Sequence, residues 1–414
     1  MDQNRVVITG MGAITPLGLD VNTTWQNIVA GKSGVGRITQ FDPTEYDVQF
    51  AGEIKDFDPA NYMDPKDARR SDRFTQIALA ARVEALSQSG LVIDESNEYD
   101  VGVIFGSGVG GVGTYTKEFE VMYQKGVRRV SPFLVPSITI DVPSVQLALY
   151  TGAQGPNLGI ATACATGADS LGQAFETIRR GHAKAIIAGS SESAIIPIAV
   201  ATFCRMQALS RRNEDPEAAS RPFDRQRDGF VMAEGAAVLI VEDLEYARQR
   251  GAQPLAEIVS YAATSDAVHL AAPQAEGMGV ANCMQLALKR AGMTIDDVDY
   301  INAHGTSTPA GDAAETRALK QAFGEKAYKV PVSSTKSMTG HMMGGAGSVE
   351  AVICIKAIHD GVLPPTINLT DPDPLCDLDY VPLKARRKEV NIVLSNSMGF
   401  GGHNATLLIK RFED

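Results

Sequence analysis

The stretch "TACATGADS" (162–170) sets Cys164 among alanines, threonines and glycines, where packing alone would favour a larger side chain. Small neighbours leave room for a substrate carbonyl to reach the sulfur, and Gly167 lets backbone come close. The residues that follow read as a helix, so Cys164 stands where free backbone N–H groups and the positive end of the helix dipole gather. That position is expected to lower the thiol pKa and to hold a developing oxyanion. His304 in "NAHGTSTPAGD" and His341 in "SSTKSMTGHMMGGAGS" both close strand-like runs, where α/β proteins place working side chains. Lys336 lies five residues before His341, close enough in sequence to influence its charge and orientation.

Three chemistries fit a cysteine with two histidines. A zinc site is disfavoured, because the spacings of 140 and 37 residues match no zinc pattern. A Cys-His hydrolase pair would leave one histidine and Lys336 without a task. Two neutral imidazoles around one carbonyl oxygen would instead suit the enolate formed when a malonyl-type thioester loses carbon dioxide. The remaining cysteines (Cys204, Cys283, Cys354, Cys376) are expected to be inert core residues, and with no C-x-x-C they form no disulfide frame. His182 and His359 fall at predicted helix ends, where a dipole contact accounts for them; His269 and His403 carry no assignment. The glycine motif "GSGVGG" (106–111) follows a strand-like run but lacks the second strand with an acidic end that dinucleotide binding needs.

The elements that must position these groups alternate in type. Apolar β-branched runs such as "RVVITGMG", "DVGVIFGSG", "KAIIAGSS" and "NIVLSNSMG" suit strands buried on both faces, with helical patterns between them. The 414 residues, 44% hydrophobic and 21% charged, suffice for a large core. A net charge of −11 excludes general nucleic-acid binding and demands local basic patches for any anionic partner. The amino terminus shows no secretory signal, and no apolar run is long enough to cross a bilayer, so a cytoplasmic setting is expected.

Two pairs of segments repeat in the same order. "GADSLGQAFETIRRG" (167–181) matches "GAGSVEAVICIKAIHDG" (345–361) when aligned at the first glycine, and "GFVMAEGAAVLIVE" (229–242) matches "GFGGHNATLLIK" (399–410). The order favours a duplicated α/β unit, with halves at residues 1–251 and 252–414. Under such a duplication Cys164 and His341 take near-equivalent places before two central helices, the second of them buried on nearly every face.

Taken together, "TACATGADS", "NAHGTSTPAGD", "SSTKSMTGHMMGGAGSVEA" and "NSMGFGG" closely resemble the β-ketoacyl-[acyl-carrier-protein] synthases, specifically the type II elongating enzymes, over the whole chain. The resemblance implies an α/β thiolase fold, duplicated halves in a five-layered αβαβα arrangement, a homodimer, and no cofactor of the enzyme's own. It implies that Cys164 takes an acyl chain as a thioester, with its N–H and that of Phe400 forming the oxyanion hole. His304 and His341 then support decarboxylation of malonyl carrier protein and the condensation, while Lys336, ion-paired with Glu350, keeps the histidine region ordered. Thr306 and Thr308 match positions on the phosphopantetheine arm, and Phe400, helped by Phe203, matches a gate for the acyl chain. Asp312 and Glu315 match supporting acids. No metal is required, although Asn302, Glu350 and Ser395 match a site that in some relatives holds a monovalent cation.

The partner implied is acyl carrier protein, which is acidic and needs positive surface. "PKDARRSDR" and "KGVRRV" offer Lys66, Arg69, Arg70, Arg128 and Arg129, with Arg205, Arg211 and Arg212 as further candidates. Four residues depart from the common pattern. Ala271 and Ala272 stand where hydroxyls are frequent, Met398 where phenylalanine is common, and Gln207 where arginine is often found. These bear on affinity and chain preference, not on reaction type. A polyketide-type ketosynthase is the alternative within the fold. A non-catalytic chain-length partner would lack the cysteine that is present here.

Overall fold

The computed structural model describes residues 4–414. The apolar runs form strands buried along their length: β1 (Val6–Ile14), β2 (Val101–Gly106), β4 (Ala185–Glu192) and β5 (Gly235–Asp243). β3 (Asn157–Ile160) is the exception, exposed along most of its length. A second set follows: β6 (Ala256–Ser265), β7 (Tyr300–Asn302), β8 (Val332–Ser333), β9 (Ile392–Gly399) and β10 (His403–Arg411). All ten join one sheet in the order β8-β7-β9-β10-β6-β1-β5-β4-β2-β3.

Outward from the β1/β6 seam, the first five strands run β1-β5-β4-β2-β3 and the second five run β6-β10-β9-β7-β8, the same path twice. The directions repeat as well. The outer three strands of each half pair in parallel, and the inner ones pair antiparallel. The seam itself is short, Val6–Ile8 against Ala256–Ile258, so the two half-sheets share an edge and then diverge.

Helices fill the space between and outside the half-sheets. α1 (Arg73–Ser89) and α2 (Val142–Thr151) cover the outer face of the first half, while α5 (Met278–Ala291) and α6 (Pro309–Phe323) cover the second. α3 (Thr166–Arg179) and α7 (Ala346–Asp360) lie between, each packed on strands of both halves, which completes five layers. Ala168, Leu171, Phe175 and Ile178 of α3 are buried as their spacing predicts, and α7 is buried almost all round. The short α4 (Pro197–Arg205) leads from the first half toward the site.

The structural repeat corrects the sequence alignment. A Cβ on Gly167 would lie 2.5 Å from Ser348 N, and one on Gly347 would lie 2.5 Å from Ala168 N. Gly167 therefore pairs with Gly347, two residues later than the match at Gly345, and the helices touch backbone to backbone where neither carries a side chain. Each helix is entered through a tight turn, 163–165 or 343–345, whose first residue takes a left-handed φ (Ala163 at 50°, Met343 at 43°). The counterpart of Cys164 is thus Gly344. His341 stands three residues earlier, bridged through its backbone to Val231 and Ala233.

Candidate active site

Both entry turns open onto one cavity of about 590 Å³, lined among others by Cys164, His304, His341, Thr306, Thr308, Phe203 and Phe400. Residues separated by well over a hundred positions meet there because the central helices start from the same side of the molecule. The His304 and His341 rings stand edge to face, centroids 5.3 Å apart at 88°, and Phe230 supports His341 in a second edge contact at 5.4 Å. Burial holds both imidazoles well below their usual pKa, and the nearby Lys336 charge pushes the same way. Both rings are therefore neutral at physiological pH, the state that donates an N–H to an oxyanion without surrendering a full proton.

Lys336 itself is buried and ion-paired with Glu350. Its effect on the histidines is electrostatic; its hydrogen-bond partner is the carboxylate, not either ring. Burial pushes the Glu350 carboxyl up to about 7 even with Lys336 pulling it down. The second oxygen of Glu350, Asn302 Oδ1 and Ser397 Oγ are buried without hydrogen-bond partners, and Asn302 Nδ2 donates to Ser395 Oγ at 3.2 Å.

The thiol does not behave as its helix-start position predicts. Burial pushes Cys164 up to about 11, outweighing the backbone N–H of Phe400, the Lys336 charge and its own N–H, which all favour the thiolate. The resting nucleophile is a neutral thiol. The same two N–H groups, Phe400 and Cys164, converge beside the sulfur, which is the geometry expected of an oxyanion hole. Gly399 makes the approach feasible, since a Cβ there would lie 2.6 Å from Thr162 O and 3.2 Å from Cys164 N.

The acids at the start of α6 hold the histidine loop. Glu315 accepts the backbone N–H of His304 and of Gly305, each at 2.8 Å. Asp312 accepts from Ser307 N and Phe223 N and lies 3.5 Å from Arg227, fixing Ser307 at a left-handed φ of 73°. Thr308 caps α6, and its hydroxyl sits 3.2 Å from that of Thr306. Phe400 and Phe203 face each other at 6.4 Å across the cavity.

Sequence reasoning missed Arg227, Phe230 and Glu192. An acid closing the buried strand "KAIIAGSSE" was the available signal for the last of these. His269 is now placed: its Nδ1 accepts from Ala271 N and Ala272 N, shaping the cavity mouth. His359 Nε2 lies 2.7 Å from Leu255 O, and His182 is exposed just beyond α3. Among the described residues, no cluster of three or more His, Cys, Asp or Glu is arranged to hold a metal ion.

Comparison with known proteins shows the family to which the chain belongs. Residues 3–247 match the family model "Beta-ketoacyl synthase, N-terminal domain", and residues 255–370 match "Beta-ketoacyl synthase, C-terminal domain". The chain belongs to the β-ketoacyl synthase family. It is 48% identical to the 3-oxoacyl-[acyl-carrier-protein] synthase 2 of Synechocystis over 413 residues, covering 100% of this synthase and 99% of the relative. The protein of the same name in Staphylococcus aureus (strain COL) is 49% identical over 414 residues, with both chains fully covered. A β-ketoacyl synthase crystal structure from Burkholderia phymatum superposes with a TM-score of 0.92 at 36% identity, over 99% of this chain and 100% of that one. A type II PKS ketosynthase, solved with its acyl-carrier protein and bound to the hexaketide, gives a TM-score of 0.90 at 33% identity, over 99% and 100%.

On the synthase surface, Lys66, Arg69, Arg70, Arg128, Arg129 and Arg205 are all exposed. The Arg70 guanidinium lies 4.2 Å over the Phe133 ring, and Arg205 ends α4, two residues beyond Phe203. Arg211 is paired with Asp47 at 3.3 Å. The four departures, Gln207, Ala271, Ala272 and Met398, all line the cavity. Among the described residues, no helix is long and apolar enough to cross a membrane.

Proposed function

We propose that this synthase elongates fatty acyl chains by two carbons through decarboxylative Claisen condensation. The observation that carries the reading is a single thiol facing two neutral imidazoles and two converging backbone N–H groups in one cavity. The Cys164 thiol attacks the acyl thioester of a carrier protein, and the carrier thiol leaves with the proton. Malonyl carrier protein then enters, and its C–C bond to the carboxylate breaks, releasing carbon dioxide. His304 and His341 donate to the enolate oxygen that forms. The carbanion attacks the Cys164 thioester, the C–S bond breaks, and 3-oxoacyl carrier protein departs as the sulfur is reprotonated. The Phe400 and Cys164 N–H groups stabilise the tetrahedral oxyanion in both acyl-transfer steps.

Thr306 and Thr308 bind the pantetheine arm, supported by their place in the cavity wall, and Phe400 with Phe203 gates the acyl chain. Lys336, Glu350, Asp312 and Glu315 hold the histidine loop and helix start in place. The enzyme needs no cofactor, because phosphopantetheine arrives on the carrier. The exposed basic residues Lys66, Arg69, Arg70, Arg128, Arg129 and Arg205 form the docking surface for that acidic carrier. Asn302, Glu350 and Ser395 suit a monovalent cation, supported by the unpartnered Asn302 and Glu350 oxygens. Residues 1–251 and 252–414 are taken as the two repeat halves, and the five free cysteines favour a reducing cytoplasm.

The protein acts as a homodimer. β3 ends the sheet with an exposed edge, and Phe133, Val145, Leu149 and Leu158 expose apolar surface on and near it. The test of function is incubation with acyl and malonyl carrier proteins followed by mass spectrometry. A 3-oxoacyl product two carbons longer is expected; its absence across several chain lengths would overturn the reading. A polyketide ketosynthase reading would instead require repeated elongation without reduction of the 3-oxo group between rounds.

A further inference from the structure

The acid at the end of β4 has no role in the chemistry above, yet it is fully buried beside the cavity. Glu192 Oε1 accepts from Ser107 Oγ at 2.8 Å and Val109 N at 3.2 Å. Its Oε2 accepts from Gly108 N at 2.8 Å and Gly344 N at 3.1 Å. Ser107 is itself committed, accepting from Gly110 N at 3.0 Å. The carboxylate thus gathers donors from both halves: the loop after β2 and the turn before α7.

Gly108, Val109 and Met343 line the same cavity as Cys164. Space around the carboxylate is closed. A Cβ on Gly344 would lie 2.4 Å from Gly108 N and 2.7 Å from Glu192 Oε2; one on Gly108 would lie 2.9 Å from that oxygen and 3.2 Å from Ala163 O. Gly108 therefore packs closely against the Glu192 carboxyl, Ala163 and the Gly344 turn. The two backbone N–H groups of the wall segment 108–109 are held by one buried carboxyl group, that of Glu192.

We propose that Glu192 is a positioning residue that sets the acyl-chain length this synthase accepts, by anchoring the Gly108–Val109 wall to the Gly344 turn. The inference rests on reading the cavity as the acyl chamber. Every partner of Glu192 in this cluster is a donor, so an amide at position 192 must turn its N–H₂ toward N–H groups on one side or the other. The wall then shifts while Cys164 and the histidines keep their own supports.

The experiment compares wild type with Glu192→Gln across short, medium and long saturated acyl carrier proteins, reading kcat/KM for each and malonyl decarboxylation separately. The expected result is a change of about fivefold or more in the long-to-short kcat/KM ratio, with decarboxylation within about twofold of wild type. An unchanged ratio, or a uniform loss at every chain length, would overturn the inference. If Glu192→Gln does not fold, Ser107→Ala removes one donor alone; a smaller shift of the same ratio supports the anchor, and an unchanged ratio overturns it. A wild type that elongates nothing would sink the functional reading itself, which is a different outcome from a wild type whose length preference survives in the variant.

Discussion

At the scale of single residues, the competition between burial and local charge decides the chemistry. The place of Cys164 on the cavity wall was legible from its small neighbours and helix-start context, but the expected lowering of its thiol pKa was not met. Desolvation outweighs the Phe400 N–H and the Lys336 charge and leaves a thiol pKa of about 11. Alkylation of free enzyme by iodoacetamide should therefore keep rising well above the pH at which an ordinary cysteine saturates. A plateau near neutral pH would show a stabilised thiolate instead. The histidines move the other way. Because their folded pKa values lie below the usual value of 6.5, malonyl decarboxylation should not fall as pH drops through about 6.5. The same shift carries a stability cost at low pH. Below about pH 6.5 the unfolded chain binds protons at these two imidazoles that the folded one does not, so the histidine contribution to stability falls with pH there, against the opposite contribution of the buried Glu350, Asp312 and Glu192 carboxyls, each pushed up to about 7. His304→Ala and His341→Ala should each lower decarboxylation by about 10²–10³-fold, in keeping with loss of an oxyanion donor. Glu350→Ala leaves the Lys336 charge buried and alone, and urea titration should show a loss of about 3–5 kcal/mol.

At the scale of elements, the site depends on two helices that approach closely enough for their entry turns to share a cavity. Periodicity predicted the buried face of α3 and the all-round burial of α7, because apolar spacing reports burial directly. The repeat was legible too, although its register was not. A match of Gly-Ala-x-Ser letters pairs Gly167 with Gly345, whereas backbone contact pairs Gly167 with Gly347. Letters record composition; only contact across the pseudo-twofold shows which glycine must be bare. Gly167→Val should lower stability by about 1–3 kcal/mol and impair acyl transfer to Cys164, since the added carbons force the helices apart. Undiminished stability by urea titration would mean that the crossing tolerates a side chain. The roles of Arg227 and Glu192 were not legible for a related reason: each acts on loops distant in sequence, and the acid closing β4 marks Glu192 without showing what it holds.

At the scale of the whole molecule, the duplicated sheet ends at two edges, β8 and β3, and apolar side chains cluster beside the exposed β3. Light scattering should give twice the 44.1 kDa chain mass for wild type. Leu149→Lys with Leu158→Lys should shift the mass toward the monomer. A monomeric wild type would contradict the edge-pairing proposal. Fold class was legible from alternating apolar runs, because strands buried on both faces leave a continuous signature that survives without any knowledge of tertiary contact. The joining of two half-sheets along three residue pairs had no such signature. The central claim, a transferable acyl group on Cys164, is tested most directly by peptide mass spectrometry of the acyl-loaded enzyme before and after adding malonyl carrier protein. The expected result is acyl mass on the Cys164 peptide alone, lost on chase as 3-oxoacyl carrier protein two carbons longer appears. Acyl mass on another cysteine, or its release as free acid, would contradict it.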